Sequence, residues 1–125
     1  MIHGIGTDIV QIERMRAALG RHGEAFAIRI LAPSEQGDWR TARDPARFLA
    51  KRFAAKEAFG KALGTGIAPP ATLHALAVMH DAHGKPFLDY DERLAFHMEE
   101  QGLLAHLSLS DERDYVVAVA VIECR

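Results

Sequence analysis

The chain has 125 residues, 49% hydrophobic and 26% charged, a balance that excludes a disordered or low-complexity protein. This length predicts a single domain spanning residues 1–125. The formal net charge of −2 offers no general basis for binding nucleic acid, and no apolar stretch approaches the roughly 20 residues that cross a membrane.

The cysteine content and the first residues bear on the cellular compartment. Cys124 is the only cysteine, so no internal disulfide can form, which is typical of proteins in a reducing compartment. Residues 1–4 lack a basic segment followed by a long apolar run, and we therefore expect no signal peptide. These two features predict a cytoplasmic protein.

The N-terminal part of the chain is predicted to contain a strand followed by helices. Residues 2–8 read as a short strand in which Gly4 and Gly6 suggest the close approach of another backbone or of a ligand. Apolar residues at helical spacing then predict helices over residues 9–20 and 24–31.

The middle of the chain carries the strongest helix prediction. Ser34 is expected to cap a short helix. Residues 48–63 are mostly good helix formers, and Gly64 provides a stop signal after them. The rest of the chain predicts strands with one helix between them: strands at 73–79 and from 87, a helix at 91–101, and strands at 106–110 and 115–122. This order predicts an α+β fold in which a small antiparallel sheet packs with helices.

Two charged residues on the central helix have two possible interpretations. Glu57 and Lys61 lie four residues apart and therefore share a face, which Ala50 and Ala54 also occupy. One interpretation is an exposed helix pair worth about 0.2–0.5 kcal/mol. The other is a functional site, in which the small residues leave room for a ligand or a second chain.

Asp8 also has two interpretations. It precedes the predicted first helix, so it is suited to cap that helix, and Gln11 three residues later resembles a capping box. Alternatively, the fold brings Asp8 beside Glu57, where two carboxylates would suit a hard cation such as Mg²⁺. The spacing of these residues does not decide between the two.

Other polar and basic residues are candidates for binding phosphate or protein. His106 lies on the polar side of a predicted strand, which is either solvated or available to a phosphate together with Lys61 and Arg52. The first half of the chain also carries a cationic patch with apolar residues interleaved, which could dock an acidic helical partner. Its arginines are Arg14, Arg16, Arg21 and Arg29.

Four segments, taken together, resemble the bacterial holo-acyl-carrier-protein synthases, which are 4′-phosphopantetheinyl transferases. They occur in the order found in that family and extend over nearly the whole chain. The long central block is the most specific of them. The segments are Gly4–Val10, Arg47–Ile67, Gly84-Lys85-Pro86 and His106–Glu112.

This resemblance implies roles for individual residues. It implies the 4′-phosphopantetheinyl transferase fold and a Mg²⁺ ion held by Asp8 and Glu57 with the pyrophosphate of coenzyme A, while Lys61 neutralises phosphate charge. Further coenzyme A contacts are implied for Arg52, Gly64, Thr65, Lys85 and His106. Arg14, Arg21 and Arg29 would contact an acyl carrier protein. The family resemblance also implies a homotrimer in which His106 comes from a neighbouring chain.

The implied reaction transfers 4′-phosphopantetheine from coenzyme A to a serine of apo-acyl carrier protein in fatty acid biosynthesis and releases 3′,5′-ADP. Glu57, acting through a water, and Glu35 are both candidates to accept the serine proton. Two other hypotheses remain open. One is a related transferase for polyketide or peptide carriers, which usually has a longer, duplicated chain; the other is a non-catalytic nucleotide-binding module.

Overall fold

The computed structural model describes residues 1–125 and shows an α+β chain. In chain order, the elements are β1 (Ile2–Gln11), α1 (Ile12–His22), α2 (Glu24–Ile30), α3 (Gln36–Arg40), α4 (Pro45–Leu63), β2 (Leu76–His80), β3 (Pro86–Tyr90), α5 (Glu92–Glu100), β4 (Leu103–Asp111) and β5 (Tyr115–Cys124). Short 3₁₀ turns occupy Pro33–Glu35 and Leu73–Ala75. No helix combines the length and the apolar composition needed to span a membrane.

Two antiparallel sheets confirm the predicted fold class. The larger sheet has the strand order β1-β5-β4, and β2 pairs with β3 in a separate hairpin. Asp8 pairs with Ala118 across β1 and β5, and Ala118 pairs with Leu109 across β5 and β4. These three residues therefore form one row across the sheet, on the same face.

Helix α4 covers one face of the larger sheet. Val116, Ala118, Ala120 and Ile122 point from β5 into the core, where they are fully buried, whereas the alternate β5 residues point outward. Most of α4 is buried as well, and this includes Ala50 and Ala54. The expectation that these two alanines leave room for a ligand is wrong, because they pack in the hydrophobic core.

The structure corrects two predicted helix starts. Strand β1 continues to Gln11, so Asp8 lies inside the strand and does not cap α1. The expected cap at Ser34 is also wrong, because a 3₁₀ turn covers Pro33–Glu35 and Ala32 precedes it. The backbone N–H of Ala32 donates to Glu35 Oε1 at 2.9 Å.

The other predicted elements are confirmed with small changes in their limits. Helix α4 ends at Leu63 as predicted, and Gly64 follows it in the left-handed conformation with φ 94°. The Asp91 side chain caps α5 by accepting from the backbone N–H of Leu94. The antiparallel pair β4–β5 is longer than predicted and continues to Cys124.

Candidate active site

Two glycines allow β1 to lie directly on α4. A Cβ atom at Gly4 would overlap the carbonyl oxygen of Ala62, and one at Gly6 would overlap the carbonyl oxygen of Ala58. Only glycine permits so close an approach between two backbones. The predicted close approach at these positions is confirmed, and it brings the middle of β1 to the face of α4 that carries Glu57.

The close contact between β1 and α4 joins two of the predicted site residues. Lys61 Nζ donates to the backbone carbonyl of Thr7 at 2.9 Å and to Asp8 Oδ1 at 3.2 Å. The Asp8 side chain is 17% exposed and the Lys61 side chain 52%, so the pair sits at the edge of the solvent. Lys61 therefore places a positive charge against Asp8.

Asp8 and Glu57 line the same cavity, which has a volume of about 490 Å³. Its wall includes apolar side chains from α1, α2 and α4, such as Met15, Phe26 and Phe53. A concave apolar site with a few converging charged groups is typical of a ligand-binding site. The interpretation of Asp8 as a site residue is thus supported over that of a helix cap.

The surroundings of Glu57 favour the protonated form of its carboxyl group. Burial raises the pKa of Glu57, the nearby negative charge of Asp8 raises it further, and Lys61 opposes both effects. A cation bound between the carboxylates would relieve this repulsion. No third histidine, cysteine, aspartate or glutamate joins them in a metal-binding group. Two carboxylate ligands fit Mg²⁺, which usually keeps several waters and binds phosphate oxygens.

The cationic patch contributes to the wall of the cavity. Arg14 and Arg29 are exposed residues that line it, while Arg21 lies in the last turn of α1 and is not among the lining residues. Arg16 is bound elsewhere, because its guanidinium donates to Glu13 at 3.0 Å and to Asp44 at 3.1 Å. The available positive charge at the cavity is therefore that of Arg14 and Arg29.

The structure places Arg52 and Glu35 inside the protein. Arg52 is 5% exposed, its Nε lies 3.2 Å from Glu35 Oε2, and its guanidinium lies 4.2 Å from the centre of the Phe48 ring. Glu35 is 2% exposed and does not line the cavity. The prediction of Glu35 as a proton acceptor is wrong, because buried hydrogen-bond donors already occupy both of its oxygens.

The remaining predicted coenzyme A contacts lie outside the cavity. Gly64 and Thr65 follow the C-terminus of α4, one turn beyond Lys61. Lys85 is exposed in the turn between β2 and β3. His106 lies on β4 with its Nε2 3.5 Å from Glu123 Oε1.

His106 and Asp8 point to opposite faces of the larger sheet. Asp8 shares a row with Leu109, and His106 is three residues from Leu109 on the same strand. Since strand residues alternate between faces, His106 points away from α4. Within one chain, the structure does not bring His106 to the cavity.

One buried charged residue beside the site was not among the predicted site residues. Lys56 immediately precedes Glu57 and is fully buried, with its ammonium group bonded to Glu35. The sequence contains no local signal for this pairing, because the two residues lie in different elements. A lysine within an otherwise alanine-rich helical segment would usually be assigned to the solvent side.

Comparisons with known proteins show which family the chain belongs to. The family model described as the 4′-phosphopantetheinyl transferase superfamily matches residues 4–120. The chain is 70% identical over 125 residues to the holo-acyl-carrier-protein synthase of Azoarcus sp. strain BH72, and the alignment covers 100% of both chains.

Two crystal structures extend the comparison to the fold. The Neisseria meningitidis holo-acyl-carrier-protein synthase has a TM-score of 0.95 and 48% identity, with 98% of this chain and 99% of that chain covered. A Bacillus anthracis synthase in complex with coenzyme A (3′,5′-ADP) has a TM-score of 0.83 and 34% identity, with 100% and 99% covered. The chain therefore belongs to the 4′-phosphopantetheinyl transferase superfamily and, within it, to the holo-acyl-carrier-protein synthases.

Proposed function

We propose that this protein transfers the 4′-phosphopantetheine group of coenzyme A to a serine of an apo-acyl carrier protein and releases 3′,5′-ADP. The observation that carries the proposal is the convergence of Asp8 and Glu57 on one cavity, with Lys61 bonded to Asp8. The full-length similarity to named synthases supports the same reaction, as does the coenzyme A complex of the Bacillus anthracis relative.

The chain's own residues would act mainly by positioning and by charge stabilisation. The serine hydroxyl attacks the β-phosphorus of coenzyme A, a new O–P bond forms, and the bond to the 3′,5′-ADP oxygen breaks. Lys61 is suited to neutralise charge on the phosphates. Glu57 is suited to accept the serine proton through a water, because its carboxylate lines the cavity beside Asp8. Mg²⁺ held by Asp8 and Glu57 would supply Lewis-acid stabilisation of the phosphate oxygens.

The cationic patch is proposed to dock the carrier protein. Arg14 and Arg29 line the cavity, and Arg21 lies farther along, in the last turn of α1. An acidic helix laid against these arginines would bring its serine towards the carboxylates and gain electrostatic complementarity. The use of this reaction in fatty acid biosynthesis and a cytoplasmic location are part of the same proposal.

We also propose a homotrimer with shared active sites, in which the chains contact each other through the outer face of the larger sheet. This face exposes Ile5, Ile9 and Val117 and also carries His106. A second copy packed there would bury apolar surface and could bring His106 to the cavity of its neighbour. The coenzyme A contacts proposed for Gly64, Thr65 and Lys85 belong to the same arrangement, whereas Arg52 is buried against Glu35 and is not proposed as a contact.

Shared sites predict that two inactive variants restore activity when they are mixed. Asp8→Asn and His106→Ala should each be nearly inactive alone. After co-refolding in equal amounts, roughly a quarter of the sites would combine an intact Asp8 with an intact His106 from the neighbouring chain. Activity assays before and after mixing check this, and a mixture without activity would exclude the shared site.

The reaction itself is tested by intact-mass analysis of apo-acyl carrier protein incubated with this protein, coenzyme A and Mg²⁺. We expect the carrier to gain the mass of one phosphopantetheine group. We expect no gain in the presence of EDTA, because EDTA removes the cation that Asp8 and Glu57 are proposed to hold. The control is the same carrier modified by an unrelated transferase. If a carrier proven competent in this way gains no mass, the proposed transfer is wrong; tight coenzyme A binding without turnover would then indicate a binding module.

A further inference from the structure

We propose that Lys56 is a positioning residue which, together with Glu35, holds α2 against α4 and thereby sets the wall of the cavity on which the carrier docks. The inference builds on the proposed carrier binding. Lys56 does not line the cavity and is not proposed to touch a substrate. Its effect would pass through the backbone segments that it joins.

The ammonium group of Lys56 is fully bonded inside the protein. Lys56 is 0% exposed, and its Nζ donates to the carbonyl of Ile30 at 2.8 Å, to Glu35 Oε1 at 2.6 Å and to the carbonyl of Leu73 at 3.0 Å. An ammonium group has three donors, so no donor remains free. Lys56 therefore joins α4 to the last residue of α2 and to the first residue of the second 3₁₀ turn.

Glu35 extends this network to two further segments. Its Oε1 also accepts from the backbone N–H of Ala32 at 2.9 Å, and its Oε2 accepts from the backbone N–H of Val78 at 2.9 Å. The Lys56–Glu35 pair thus connects α4, the end of α2, the second 3₁₀ turn, the segment before α3 and strand β2. Each bond involves a charged group, and all except the partly buried bond to Leu73 are buried. Hydrogen bonds with a charged partner are stronger than those between neutral groups.

The acceptors of Lys56 are residues of the cavity wall. Ile30 and Leu73 both line the cavity that contains Glu57, and α2 also contributes Phe26 and Arg29. The carbonyls that Lys56 binds therefore belong to residues that line the same cavity as Glu57. If these bonds were lost, α2 would be free to move relative to α4, and Arg29 would move with it.

Stability alone does not account for a buried ion pair at this place. Removing two charges from water is costly, and apolar residues of similar size often give equal or greater stability. A lysine with three acceptors does, however, define the relative position of the segments that supply them. If Lys56 positions α2, its loss should weaken binding of the carrier protein, which is proposed to dock on α2, more than binding of coenzyme A.

The test compares Lys56→Met with two reference variants. Lys51→Met is the matched control, because Lys51 lies on the same helix and pairs with Asp111 near the surface. Arg29→Ala tests the proposed docking itself. For each variant we would measure kcat, the KM for apo-acyl carrier protein, the KM for coenzyme A, and hydrogen exchange of residues 24–30.

We expect Lys56→Met to raise the KM for the carrier by about tenfold, because a small displacement of binding groups is costly. The KM for coenzyme A should change by less than about twofold, since the contacts proposed for Gly64, Thr65, Lys85 and His106 lie in segments that Lys56 does not bond. Residues 24–30 should exchange faster while β5 keeps its protection. Lys51→Met should leave all four measurements near their original values.

Other outcomes separate failure of this inference from failure of the docking proposal. A folded Lys56→Met protein with an unchanged carrier KM, or with both KM values raised equally, would overturn the positioning role. An unchanged carrier KM in Arg29→Ala would instead reject docking on α2, whatever Lys56→Met does. If Lys56→Met does not fold, Glu35→Gln provides the second test: it keeps an oxygen for Lys56, so a smaller rise in the carrier KM is expected, and no rise would contradict the inference.

Discussion

Glu57→Gln should lower kcat by about two to three orders of magnitude while leaving the fold intact. The amide has nearly the same size as the carboxylate, so packing on α4 is preserved. It lacks the negative charge that would bind Mg²⁺ with Asp8, and it cannot accept the serine proton. The measurement is steady-state transfer of phosphopantetheine to apo-acyl carrier protein at saturating substrates.

The control for this variant is Glu99→Gln, an exposed carboxylate on α5 with no ion pair. It should retain full activity, because its side chain lies away from the cavity. Calorimetric titration with Mg²⁺ in the presence of coenzyme A should show weaker metal binding for Glu57→Gln but not for Glu99→Gln. If Glu57→Gln turned over at the wild-type rate, Glu57 would be neither the required metal ligand nor the proton acceptor.

Gly6→Ala should lower the free energy of unfolding by about 2 kcal/mol or more and greatly reduce activity. The added methyl group would overlap the carbonyl oxygen of Ala58 and also lie 2.7 Å from the backbone nitrogen of Ala62. Since both neighbours are helix backbone, β1 must move away from α4. Asp8 lies two residues farther along β1, so it would move away from Glu57 and Lys61.

Gly20→Ala is the matched control for that prediction. Gly20 lies in α1, and a Cβ atom there would meet nothing within 4 Å. Alanine is the better helix former by up to about 1 kcal/mol, so stability should stay equal or increase. Denaturant unfolding at one fixed protein concentration checks both variants, since an oligomer's stability depends on concentration. Equal unfolding curves and equal activities for Gly6→Ala and the original protein would contradict the close-packing argument.

Local sequence signals were sufficient for the elements with strong helix or turn chemistry. The alanine-rich segment before Gly64 predicts α4, and Asp91 marks the start of α5. The polar turn after residue 110 predicts the β4–β5 pair. These signals act between residues that are near in the chain, so they can be recognised without the tertiary fold. The spacing of Glu57 and Lys61 on one helix is another signal between residues that are near in the chain.

The length of β1 depends on a partner that is distant in the sequence. Residues after Asp8 have helical spacing, and the sequence therefore favoured a helix from residue 9. In the structure, Ile9, Val10 and Gln11 pair with β5, whose residues come more than a hundred positions later. Pairing with a distant strand overrides the local preference and places Asp8 within the strand.

The sequence by itself determined the α+β class, the family motifs and the types of residue available for phosphate chemistry. Only the tertiary structure decided which of them meet. The contact of Gly4 and Gly6 with α4 brings Asp8 to the cavity of Glu57, and strand alternation turns His106 to the other face. The burial of Lys56 and Glu35 is likewise decided by tertiary packing, because their stability inside the core depends on each other and on backbone groups from three further segments.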